Sequence, residues 1–152
     1  MPNHCYQTVS IYGPRDMVTE LYFNLNTTVS RFCDTVIPMP LKEAGNTYEW
    51  CNENWGTKWD VAEVEIIHAL EHSDMDPPAP VAGMSWFKFK CWTAWGPPVP
   101  VWDKLHSLGI DVQTEYKIEG LSLKGKYFDG EHLGWKTTDE AEPNFVDAEI
   151  LD

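Results

Sequence analysis

Residues 50–60 read W-C-N-E-N-W-G-T-K-W-D and set three of the chain's eight tryptophans among two asparagines, a threonine, a lysine and an aspartate. Tryptophan buries a large apolar body but needs a partner for its indole N–H, so rings interleaved with amides and an ionisable pair have the make-up of a half-wet binding site. Trp55 and Trp59 would be the anchors. Asn54, Thr57, Lys58 and Asp60 would give directional hydrogen bonds, with Gly56 between them. A second stretch, residues 92–98, reads W-T-A-W-G-P-P and adds Thr93, Trp95, Pro97 and Pro98. Tyr116, on a later strand, completes the candidate binding set. The same rings would equally serve to cap a core that helices leave uncovered. With Lys58 or Asp60 as the ionisable group they would also wall a small-molecule pocket.

Other groupings imitate chemistry without its context. His68-Ala-Leu-Glu71-His72 fits the H-x-x-E-H pattern of inverted zinc peptidases, which needs both histidines on one long helix. Here alternation precedes it and an Asp/Pro stretch follows, so His68 is expected to end a strand and His72 to face solvent. Gly120-Leu-Ser-Leu-Lys-Gly125-Lys126 falls one residue short of a phosphate-binding loop, because Tyr127 stands where Ser or Thr would reach magnesium. Leu121 and Leu123 alternate with Ser122 and Lys124 as in a strand, and no helix follows to offer its N-terminus to a phosphate. The four cysteines, Cys5, Cys33, Cys51 and Cys91, form no C-x-x-C pair and read as reduced, buried thiols. No catalytic set, cofactor or metal site is expected.

The elements that must hold the tryptophan stretches follow from periodicity. Residues 4–12 favour a strand, and Gly13-Pro14 stops it before an amphipathic helix on which Met17, Leu21, Leu25, Val29 and Phe32 recur at helical spacing. Residues 34–49 carry Pro38, Pro40 and Gly45 and read as a long loop delivering the chain to Trp50. Alternation then predicts a strand with Ala62, Val64, Ile66 and His68 on one side, and another over residues 84–92 with Phe87, Phe89 and Cys91 set against Lys88 and Lys90. The two should pair as a hairpin, which would bring residues 50–60 and 93–98 to one end of the sheet. Pro100 opens a second helix bearing Val101, Leu105 and Leu108, with Gly109 as its left-handed stop. A strand follows with Val112, Thr114, Tyr116 and Ile118 inward, then an extra strand over residues 121–128. The fold class is α+β: a ferredoxin-like split β-α-β plan, an antiparallel sheet with two helices on one face and an extra C-terminal strand. Residues 1–130 form the domain and residues 131–152 an acidic tail, with Phe145, Val146, Ile150 and Leu151 as its anchors.

Composition limits the partners. The chain has 152 residues, the size of one domain, and sets 24 acidic residues against 11 basic ones for a net charge of −13. Such a surface repels nucleic acid and anionic membrane and favours a basic partner. Direct nucleic-acid binding and membrane association are therefore not expected. Residues 49–76 and 129–152 hold eight acids each, offset only by Lys58 and Lys136. No signal-peptide pattern opens the chain, and no apolar run approaches a membrane span, so a cytoplasmic protein is expected.

The string Asn54-Trp55-Gly56-Thr57-Lys58-Trp59-Asp60, with Pro2-Asn3 and Cys5 near the start, Thr93-Ala94-Trp95 before Pro97-Pro98-Pro100, and a closing hairpin over residues 116–127, resembles the YubB-like ferredoxin-like proteins of bacterial plasmids and phages. The resemblance covers most of the chain up to about residue 130. It implies a mobile-element origin, a bacterial cytoplasm and the ferredoxin-like fold, and it brings no established activity. The expected function is that of a non-enzymatic phage or plasmid accessory protein binding a host protein through its Trp-rich site. The alternative is an acidic anti-defence inhibitor that mimics nucleic acid toward a basic host protein.

Overall fold

The computed structural model describes residues 4–27, 30–72, 83–118 and 123–136, the side chains of residues 135 and 136 excepted. Six strands make one antiparallel sheet: β1 (His4–Pro14), β2 (Ala62–His72), β3 (Met84–Ala94), β4 (Asp111–Ile118), β5 (Leu123–Phe128) and β6 (Glu131–Lys136). Their order across the sheet is β2-β3-β1-β4-β5-β6. Helices α1 (Arg15–Leu25), α2 (Phe32–Val36) and α3 (Thr47–Asn54) lie between β1 and β2, with a 3₁₀ turn at Leu41–Asn46, and α4 (Val99–Ser107) connects β3 to β4. The fold is α+β.

Period-two patterning decides the faces of the central strands. Val9 and Ile11 of β1, Phe87, Phe89 and Cys91 of β3 and Val112 of β4 are buried against Val18, Leu21 and Leu25 of α1 and Val101, Trp102 and Leu105 of α4. Phe32 stands at the centre, its ring 5.6 Å from that of Phe89 and 5.8 Å from that of Trp102. On β4 the inward residues Val112, Thr114, Tyr116 and Ile118 alternate with exposed neighbours as the sequence predicts. Gly109, at φ +84°, ends the C-terminal turn of α4, where the Ile110 N–H reaches back to the Leu105 carbonyl.

Several sequence expectations need correction. The first amphipathic helix does not run to Phe32; α1 ends at Leu25 and α2 begins separately. Near that end the Asn24 amide donates to the Glu20 carbonyl and the Thr27 hydroxyl to the Asn24 carbonyl, the local side-chain competition that unravels helix ends. The stretch expected as a long loop contains α2, the 3₁₀ turn and the start of α3, so four α-helices flank the sheet strands where two are expected. Simple alternation fails on β2. Its register shifts near residues 63 and 67 turn Ala62 and His68 toward the face of Trp92 and Lys88, and Ile66 toward that of Phe89. Glu63, at φ +50°, marks the first irregularity. On α4 the core position belongs to fully buried Trp102, while Leu108 is 43% exposed. Two strands follow β4: β5 pairs with it, and β6 pairs in turn with β5. The turn at residues 119–120 and the anchors Phe145, Val146, Ile150 and Leu151 lie outside the described residues. No helix among the described residues is long and apolar enough to cross a membrane.

Candidate functional site

The two tryptophan-bearing stretches meet through backbone and side chain. Residues 50–54 complete α3, and Trp55 to Asp60 turn the chain into β2. The Thr57 hydroxyl, fully buried, accepts the Ala94 N–H and donates to the Ala94 carbonyl, both at 3.0 Å. One residue earlier, Gly56 takes φ +76°, and a Cβ there would come within 2.9 Å of the Pro100 ring. Only glycine fits both the backbone and the contact. These links close the space between the stretches.

Much of the candidate set is spent on this brace. Trp55 is 5% exposed; its indole donates to the Ile37 carbonyl at 2.8 Å, and its ring meets that of Trp50 edge-on at 5.4 Å. Asn54 donates back to the Trp50 carbonyl within α3. Thr93 is buried, accepts from the Gln7 amide at 2.7 Å and donates to the Gly96 carbonyl at 2.6 Å. The Pro97 carbonyl accepts the Val99 N–H, and that of Pro98 the N–H groups of Val101 and Trp102, which starts α4. Tyr116 lies in a separate buried cluster with Cys5 and Ile118, its ring over Gly125 and its hydroxyl bonded to His132 Nε2.

Asp60 is a clamp. Its Oδ1 accepts the N–H groups of Cys33 and Val61, each at 2.8 Å, and its Oδ2 that of Asp34 at 3.0 Å. Those of Cys33 and Asp34 are unpaired donors in the first turn of α2, so a carboxylate 26 residues downstream caps a helix too short to persist alone. Burial raises the Asp60 carboxyl above its ordinary range, and the three backbone N–H groups pull it partly back. With its oxygens so engaged, Asp60 has no geometry for attacking a ligand.

The rest of the set stays outward. Lys58 Nζ sits 4.8 Å from the Tyr48 ring centre and 5.7 Å from that of Trp59, both within cation–π range. Trp59 stands edge-on to Tyr48 at 6.5 Å and to Trp92 at 6.0 Å. Trp92 stacks on His4 at 4.0 Å, and His4 meets Tyr6 at 5.9 Å. A continuous run of rings thus leads from α3, past Lys58, onto the sheet face opposite the core. Trp95, at the same end of the sheet, is 48% exposed and held at φ +78°, a costly backbone conformation for a bulky residue. Tyr48 is 59% exposed. Tyr48, Trp92 and His4 join this surface although the candidate set omits them. A signal existed for Trp92, which opens the second tryptophan stretch, but not for Tyr48, which sits in the supposed loop.

The remaining chemistry resolves by geometry. His68 pairs in register with Lys88 and His72 with Ser85, residues on opposite faces of β3, so the two histidines cannot share one metal ion. His72 is also half-buried and bonded through Nδ1 to the Ser85 hydroxyl at 2.5 Å, on a strand that runs through it and does not stop at His68. Among the described residues no group of three or more His, Cys, Asp or Glu side chains gathers to hold a metal. All four cysteines are free and buried. Burial pushes the Cys5 thiol up to about 12, and those of Cys33, Cys51 and Cys91 upward too, so each stays a protonated, poor nucleophile. Residues 123–128 form β5, not the helix that a phosphate-binding loop requires. No family model, no curated protein and no solved structure matches the chain.

Proposed function

We propose that the protein is a non-enzymatic binding module of the YubB-like, ferredoxin-like kind carried by phages and plasmids, acting in a bacterial cytoplasm by capturing a host protein. The observation that carries this reading is the outward run of Tyr48, Lys58 and Trp59, joined by Trp95 at a strained backbone position. Exposed aromatic rings beside a cation, on a rigid brace, have the composition of binding hot spots. The strand order 2-3-1-4, with helical connections after β1 and β3, supports the ferredoxin-like plan, to which β5 and β6 would be additions. An enzyme reading loses support because Asp60 serves backbone donors and Lys58 lies over rings.

The test is capture from a bacterial lysate by the full chain and by a Tyr48→Ala/Trp95→Ala variant, at low and high salt. The wild type should retain a partner at both salt concentrations, and the variant should lose it while its thermal transition stays within a few degrees. Retention that vanishes with salt but ignores the aromatic changes would move the reading to the acidic surface instead.

A further inference from the structure

The face of the sheet opposite the core gathers lysines that the composition hides. Strand pairing sets Trp86, Lys88, Lys90 and Trp92 of β3 beside Tyr12, Ser10, Thr8 and Tyr6 of β1, and these beside Asp111, Gln113, Glu115 and Lys117 of β4. On β5, Lys124 and Lys126 continue the rows from Lys117 and Glu115. Five of the chain's 11 basic residues therefore share one face of a protein whose net charge is −13. Acids share this face: Glu115 lies 3.8 Å from Lys126, Glu65 pairs with Lys90 and Glu71 with Trp86 from the β2 edge, Glu63 accepts the Trp92 indole N–H at 2.9 Å, and Asp111 stands at the far end of β4. Among the described residues Lys88, Lys90, Lys117 and Lys124 have no carboxylate within 4.0 Å.

Aromatic rings bracket the lysines. Tyr12 and Trp86, 6.2 Å apart, lie at one end of the central strands and Trp92 at the other. Between them Thr8 and Ser10 are small, and a groove of about 420 Å³ runs past Tyr6, Thr8, Lys90, Lys117 and Lys124. Neighbouring strands are about 4.8 Å apart, so cations recur at distances that phosphates along an extended strand can match. A patch of cations with rings beside it, on a sheet face wide enough for splayed bases, suits single strands; a duplex hides its bases and cannot stack on the rings.

We propose that this open face binds single-stranded nucleic acid, with Lys88, Lys90, Lys117 and Lys124 on the phosphates and Trp86 and Tyr12 stacking bases. The negative remainder of the molecule then repels duplexes and membranes at a distance while the patch acts at contact, over about one Debye length. The site adjoins the corner of Tyr48, Lys58 and Trp59 through the contact of Trp59 with Trp92 but uses other residues, and it does not rest on the host-protein reading.

Fluorescence anisotropy of a labelled oligodeoxythymidylate tests it with the full chain. The wild type should bind at low salt, with affinity falling steeply as salt rises. Replacing Lys88, Lys90, Lys117 and Lys124 by Gln should weaken binding more than tenfold and flatten the log–log salt slope by about 2–3, at ~0.7 per phosphate contact. Trp86→Ala should weaken it roughly tenfold by loss of one stacked base. No binding by the wild type, equal binding by the four-Gln chain, or equal affinity for a duplex or for phosphatidylglycerol vesicles would overturn the proposal. So would a wild type that binds nothing while a chain with Asp139, Glu140, Glu142, Asp147 and Glu149 changed to their amides binds well, which would assign the patch to the chain's own acidic segment.

Discussion

Two tryptophans from adjoining stretches should respond oppositely to the same change. Trp55 is buried, hydrogen-bonded and packed against Trp50, so Trp55→Ala removes a core ring and is expected to cost roughly 3–5 kcal/mol. Trp95 is half exposed in a strained conformation, and Trp95→Gly should leave stability unchanged or raise it by up to about 1 kcal/mol, since glycine takes φ +78° without penalty. Chemical denaturation of both variants measures this. Asp60 gives a pH signature. Its carboxyl is raised in the folded state, so the folded chain holds that proton more tightly than the unfolded one. Its contribution to stability therefore falls as pH climbs from the unfolded carboxylate value, about 3.9, through the raised folded value, and is level above it. Asp60→Asn should flatten that part of the stability–pH curve relative to wild type. Asp60→Ala, which leaves three backbone N–H groups without an acceptor, should cost about 2–3 kcal/mol at neutral pH.

Strands and helices show which of these features the sequence could disclose. Alternation exposes β1, β3 and β4 because each has one face in the core, and Pro100 and Gly109 bracket α4 by backbone chemistry alone. Helix α2 was not legible: five residues carry no period, and what holds it is the capping by Asp60, a contact between distant parts of the chain. The same carboxylate looked like a ligand group for that reason. The faces of β2 were hidden by its bulges, which together with Glu65, His68 and Glu71 blunt an edge strand that would otherwise pair with another chain. Farther across the sheet, Tyr116 lies over Gly125, and a Cβ at residue 125 would fall 2.1 Å from its ring. Gly125→Ala should therefore destabilise the protein by about 1–3 kcal/mol through forced displacement of that ring, and a Tyr116→Ala background should remove most of the added penalty. The double-mutant cycle checks whether β5 is held to β4 by this ring.

At the scale of the whole molecule the two proposed sites adjoin and draw on different residues. A braced, aromatic corner presents Tyr48, Lys58, Trp59 and Trp95, while the open sheet collects lysines that a count of net charge conceals. The sequence points to the corner through the density of tryptophan, but Trp50 and Trp55 belong to the brace, since a rigid site needs buried rings beneath the exposed ones. The lysines' shared face is not legible in the sequence because it depends on register across β3, β1, β4 and β5. The exposed corner, and not the buried tryptophan brace, is the proposed contact site for a host protein. The most direct measurement is capture from host lysate by the wild-type and Tyr48→Ala/Trp95→Ala chains, with thermal melting of both. Loss of the retained partner at an unchanged melting temperature is the predicted result, and undiminished capture by the variant would contradict it.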